Sequence, residues 1–127
     1  MVMLDTCALL WAAKAPARLP QRVRDLLLLE RNEKVLISVA SAWELELKKR
    51  ALKIEDPTGW FERSADELGA TVLSIRLDHI AALQQLPARH KDPFDRILVA
   101  QAIAEKCSLV TVDDDIRQYS EVPCIWD

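Results

Sequence analysis

The amino-acid sequence predicts a three-layer α/β/α domain built on a parallel central sheet. Three observations lead there. The segments KVLIS, TVLSI and SLVTV are near-continuous apolar runs, as expected for strands covered on both faces. Strand-like and helical segments alternate along the chain, the pattern of βα units. At 127 residues the chain is long enough to bury a real core, so residues 1–127 are expected to form a single domain.

Each element has its own signal. MVML (1–4) reads as a buried strand. TCALLWAA (6–13) is helical, and Pro16 and Pro20 end that segment. QRVRDLLLLER (21–31) is a second helix; Leu26 to Leu29 are too wide for one face and predict cover on both sides. KVLIS (34–38) is strand-like. SAWELELKKRALK (41–53) is a helix with an acidic start and a basic end, and Ser41 and Glu44 have capping-box spacing. PTGWFERSADELG (57–69) is a short helix after a turn, TVLSI (71–75) a strand and LDHIAALQQL (77–86) a helix. PFDRILVAQAIAEKC (93–107) is a strong helix, with Asp92 at the N-cap, Pro93 at the first helical position and Asp95 at the third. SLVTV (108–112) is a strand, DDIRQY (114–119) a last short helix and VPCIW (122–126) a final edge strand. No repeat, low-complexity tract or linker interrupts this order.

Composition excludes several functions. Half the residues are apolar and 29% are charged, a soluble globular balance. Two glycines leave no phosphate-cradling loop, against P-loop and dinucleotide-binding readings. A net charge of −3 gives no global basic field, so a polyanion partner needs a local basic patch or a bound cation. Cys7, Cys107 and Cys124 are odd in number and lack C-x-x-C spacing, which reads as reduced thiols in a cytosolic protein. They are poor zinc candidates, since only His79 and His90 are available to join them. The N-terminal MVMLDTCALLW lacks a signal-peptide pattern, and no apolar run approaches the ~18 residues that span a bilayer. A cytoplasmic protein with no membrane partner is expected.

The acids fall in a pattern. Asp5 follows the first strand and opens a helix. Glu44 is expected in the first turn of the helix after strand two. Asp95 lies in the first turn of the helix leading into SLVTV, and Asp113 follows that strand. Each has a purely structural reading as a cap or dipole partner. In a parallel α/β sheet, however, the helix N-termini gather at the carboxyl edge, where such folds bind ligands. Four carboxylates on one edge repel, and protonation, separation or a cation must relieve them. Oxygen-only ligands suit Mg²⁺ or Mn²⁺ rather than zinc.

The stretches MLDTCALLW, SVASAWELELK, HKDPFDRILVAQA and VTVDDDI, in this order, closely resemble the PIN-domain family, and within it the VapC-type toxins of toxin–antitoxin modules. The resemblance covers essentially the whole chain, and the H-x-D-P-F-D-R-x-L-x-A-Q-A segment is its most specific part. It implies a PIN fold and a Mg²⁺- or Mn²⁺-dependent endoribonuclease that hydrolyses RNA phosphodiesters and is silenced by a cognate antitoxin. It also implies a homodimer and a toxin–antitoxin hetero-oligomer. Carried over by position, the catalytic acids are Asp5, Glu44, Asp95 and Asp113, with Asp5, Asp95 and Asp113 as metal ligands and Glu44 binding directly or through water. Asp113 sits two residues after Thr111, and Asp115 is the alternative last ligand. Thr6 and Ser38 match polar positions that orient the metal shell. Asp92 belongs to the D-P-F-D-R signature and is taken mainly as the helix cap. Arg96 is expected to contact a phosphate or pair with a neighbouring acid.

An acidic centre needs basic flanks to hold RNA. Lys48, Lys49, Arg50 and Lys53 form one cluster, although cations at a helix C-terminus are favourable anyway, and Arg89, His90, Lys91 and Arg96 form another. Of Trp11, Trp43, Trp60 and Trp126, most are expected in the core, with Trp60 and Phe61 a possible partner surface. Two rival functions remain. A haloacid-dehalogenase-type phosphatase also opens with strand-Asp, but wants a second Asp where Cys7 stands. A PIN fold that binds metal and a protein partner without cleaving RNA is the other.

Overall fold

A computed structural model describes residues 1–32, 34–87 and 92–127. Five strands form one parallel sheet: β1 (Val2–Leu4), β2 (Val35–Ser38), β3 (Thr71–Leu73), β4 (Ser108–Val110) and β5 (Cys124–Ile125), in the order β3-β2-β1-β4-β5. Among the described residues eight α-helices flank it: α1 (Thr6–Lys14), α2 (Gln21–Glu30), α3 (Val39–Leu47), α4 (Lys49–Leu52), α5 (Pro57–Leu68), α6 (Leu77–Ala82), α7 (Pro93–Ala104) and α8 (Asp114–Arg117).

The layers follow from strand alternation. Val2, Leu4, Val35, Ile37 and Val110 join a core with Leu9 of α1, Val23 of α2, Leu45 of α3 and Phe61 of α5. Met3, Leu36 and Leu109, one residue out of phase, join a second core with Leu98 and Val99 of α7 and Ile116 of α8. Successive side chains of one strand enter opposite faces, and both faces are covered. This is the three-layer α/β/α arrangement that the apolar runs predict.

Local chemistry sets the element ends. Gly69 closes α5 at φ 63°, a left-handed conformation that costs glycine nothing. Lys53 ends α4 with the same sign of φ, at 57°. The helix expected at 77–86 is α6 followed by a 3-10 turn at Leu83–Gln85.

Three expectations are corrected. The helix after β2 starts at Val39, because the Ser38 hydroxyl oxygen accepts from the Ala40 N–H (3.0 Å); Ser41 is therefore inside the helix and not its cap. Helix α2 is not covered on both sides: Leu28 and Leu29 are 68% and 79% exposed. Trp126 is buried and Trp11 and Trp60 pack against the first core, but Trp43 is exposed, while Phe61 is buried and therefore no surface residue. Trp43 instead meets Phe94 edge-on at 5.0 Å.

Candidate active site

The sheet order reverses between β1 and β4. The chain runs outward from β1 through β2 to β3, then returns to the other side of β1 as β4. Ligands of open α/β folds bind in the crevice beyond the carboxyl ends at such a switch point. Asp5 follows β1 there, and its N–H donates to the Val110 carbonyl at the end of β4 (3.1 Å). Asp113 lies three residues beyond Val110. The two acids thus flank the crevice.

A cavity of about 290 Å³ opens at this point, lined by Asp5, Thr6, Cys7, Glu44, Lys48, Asp92, Asp95, Val112 and Asp113. All four acids predicted from the sequence border it. The caps and the pocket acids are largely the same residues. Asp5 caps α1, accepting from the Ala8 N–H at 2.7 Å. Asp113 caps α8, accepting from the Asp115 N–H at 2.8 Å. Asp92 caps α7, accepting from the Phe94 N–H at 2.9 Å, which is the role its position predicts. Asp95 lies in the first turn of that helix.

Glu44 is placed differently from expectation. Because α3 starts at Val39, Glu44 is in its second turn, one turn deeper along the helix. Its side chain is 8% exposed. Oε2 accepts from Lys48 Nζ at 2.6 Å, and Oε1 is buried without a hydrogen-bond partner. The Ser41 hydroxyl, freed from capping, accepts from the Thr6 hydroxyl at 2.9 Å and joins α3 to α1 beside the pocket.

Burial dominates the electrostatics. Asp5 is pushed up to about 6, first by burial and further by Asp95 and Asp113, against hydrogen bonds from the Thr111 side chain and the Ala8 N–H. The Cys7 thiol is raised, by burial and then by Asp5, with Asp113 and Glu44 adding to the effect against Arg18. Lys48 is held above its ordinary range, chiefly by its hydrogen bond to Glu44, with Asp92 and Asp95 adding to the effect.

The supporting residues divide. Thr111 holds Asp5 through its side chain and accepts from the Asp113 N–H at 3.0 Å. Thr6 lines the pocket, whereas Ser38 is fully buried as the α3 cap. Asp115 is exposed, while Asp113 lines the wall. Arg96, expected on a phosphate or an acid, donates from Nη1 to the Pro87 carbonyl (2.8 Å) and the Tyr119 hydroxyl (3.2 Å). Arg89, His90 and Lys91 lie outside the described residues. In the other basic cluster Lys49, Arg50 and Lys53 border a separate cavity of about 380 Å³, and Lys48 alone turns to the acids. The sequence places Lys48 in a basic flank for RNA or as a dipole partner; its i, i+4 spacing from Glu44 is the signal for the ion pair.

A metal ion has two candidate places. Asp78, His79 and Glu105 carry ligand atoms within 4.8 Å of one another. That group is already satisfied. Arg76 pairs with Asp78 (3.0 Å) and Glu105 (2.6 Å), and His79 spans from Glu105 at Nε2 (3.2 Å) to the Arg76 N–H at Nδ1 (3.0 Å). An arginine among the acids does a cation's work. The switch-point pocket is the better fit: its donors are carboxylate oxygens, and Glu44 Oε1 is buried with no partner.

A PIN-domain family model matches residues 2–122, and the chain belongs to that family. Among solved structures it is similar to VapBC2 from Rickettsia felis bound to a promoter DNA fragment, at 20% identity and a TM-score of 0.76 over 100% of both chains. It is similar to DNA-bound VapBC from Salmonella typhimurium, at 18% identity and a TM-score of 0.76 over 98% of this chain and 96% of that one. A toxin–antitoxin complex from Klebsiella pneumoniae matches at 18% identity and a TM-score of 0.63, over 96% and 95% of the two chains. At these identities the likeness is one of fold. A search of curated proteins found no match.

Proposed function

We propose that this protein is the VapC-type toxin of a toxin–antitoxin module, acting as a Mg²⁺- or Mn²⁺-dependent endoribonuclease. The observation that carries the reading is the meeting of Asp5, Glu44, Asp95 and Asp113 in one pocket at the switch point of a PIN fold. PIN domains are generally nucleases, so hydrolysis is the kind of activity to expect. Asp5, Asp95 and Asp113 would hold the ion, with Glu44 joining directly or through water. A bound divalent cation supplies charge neutralisation at a phosphodiester and a nucleophile at neutral pH.

The chain's own residues do the rest. Thr111 and the Ala8 N–H hold the Asp5 carboxylate in one orientation. The α7 and α8 caps fix the helix ends that carry Asp95 and Asp113. Lys49, Arg50 and Lys53 would contact backbone phosphates, which gives affinity without sequence reading. The solved relatives are toxin–antitoxin complexes, and an antitoxin is the protein partner proposed here, with a homodimer inside the hetero-oligomer. Exposed Leu28 and Leu29 on α2 are apolar surface that such a partner would cover.

The test is cleavage of a panel of cellular RNAs by purified protein with Mn²⁺, with Mg²⁺ and with EDTA. Cuts should need the metal and fall at least ~100-fold in Asp95→Asn, more than loss of an outer-shell partner costs. Equal cutting by both proteins would reject the assignment. A folded protein that binds Mn²⁺ and cuts nothing would favour the non-cleaving binding module.

A further inference from the structure

We propose that Lys48 is a displaceable counter-ion of the acid pocket: it neutralises Glu44 while no divalent cation is bound, and moves to a phosphate of the bound RNA once one enters. This rests on the nuclease reading and gives Lys48, among the basic flank residues, an exchange between Glu44 and substrate.

The ion pair is lopsided. Lys48 Nζ lies 2.6 Å from Glu44 Oε2, yet the lysine side chain is 57% exposed and the glutamate 8%. The lysine reaches in from the mouth and can swing out without opening the fold; the glutamate cannot. The pairing is also incomplete. Among the described residues lining the pocket Lys48 is the one cation, and Glu44 Oε1 stays buried and unpartnered beside it. Lys48 sits at the C-cap of α3 with φ −104° and ψ 11°, where the chain leaves one helix for the next. Asp92 and Asp95 also draw it toward the pocket.

A divalent ion among these acids satisfies Glu44 better than an ammonium does, and repels the ammonium beside it. That repulsion outweighs what a half-exposed ion pair is worth. The released Nζ then stands at the mouth of the acid pocket, on the path of a polyanion approaching the acids. One side chain thereby opposes metal entry and favours substrate.

The two effects have opposite signs, and Lys48→Met separates them. Mn²⁺ binding is measured by calorimetry without RNA, and KM and kcat are measured on a cleaved RNA. Lys48→Met should bind Mn²⁺ about 2- to 5-fold tighter, the equivalent of an exposed ion pair removed, while KM for RNA rises and kcat changes little. Lys48→Arg should stay close to wild type in both. Equal or weaker Mn²⁺ binding by Lys48→Met, in a variant whose circular dichroism is unchanged, would overturn the proposal and make Lys48 a support for Glu44. An unchanged KM would remove the phosphate contact and overturn it equally. Failure of the wild type to bind Mn²⁺ would bring down the nuclease reading along with it.

Discussion

Asp5 shows how one residue serves fold and site together. It caps α1, which any helix after a strand needs, and it is buried among other acids, which a cap does not need. Burial raises its proton affinity from the ordinary 3.8 to about 6. Between those values the folded chain holds a proton that the unfolded chain has lost, so this residue's contribution to stability falls as pH rises through the window. The loss is on the order of 1–3 kcal/mol in metal-free protein. Urea denaturation in EDTA at a series of pH values checks this: Asp5→Asn should show less loss of stability than wild type from pH 4 to 6. Asp5, Asp95 and Asp113 were legible in the sequence because acids suit helix N-termini in any case. Glu44 lines the same pocket as expected, but one turn further along its helix. Ser41 and Glu44 fit capping-box spacing, and only the Ser38 bond to the Ala40 N–H decides against it. The Lys48 ion pair with Glu44 was not anticipated, because the helix dipole and an RNA flank already account for a lysine at that position.

At the scale of elements, the strongest periodicities predicted best. Helix α7 follows its Asp-Pro start closely, because the cap and the proline act within one turn. Helix α2 misled: four consecutive leucines imply two buried faces, but only Val23 of this helix is fully buried. What covers an element depends on its partners, and those are not in its own sequence. The link between α6 and α7 was equally invisible. His79 is wholly buried, tied to Glu105 of the α7 C-cap and to the Arg76 N–H, while Gln101 reaches the Ser74 carbonyl at 3.3 Å. We expect His79→Ala to cost about 2–4 kcal/mol in chemical denaturation, from a cavity and a stranded backbone N–H. Mn²⁺ binding by the folded fraction should be unchanged, because this cluster is structural. Loss of Mn²⁺ binding in that variant would move the metal site to the cluster.

For the molecule as a whole, the sequence carried the layers but not the strand order. Alternating apolar strands dictate cover on both faces, and the two cores bear this out, Val2 and Leu4 entering one and Met3 the other. The order β3-β2-β1-β4-β5 depends on pairings between residues far apart, such as Leu4 with Val110. That order matters most for function, because it puts Asp5 and Asp113 on either side of the switch point. Among the described residues no helix is long and apolar enough to cross a membrane.

Binding of a divalent cation by the switch-point carboxylates can be seen directly. Crystals grown with Mn²⁺ and measured for its anomalous scattering should show a peak ringed by Asp5, Asp95 and Asp113, with Glu44 next to it and Lys48 drawn back. A peak only at Asp78, His79 and Glu105, or none in the pocket of a protein that cleaves RNA, would rule out a metal site at the switch point.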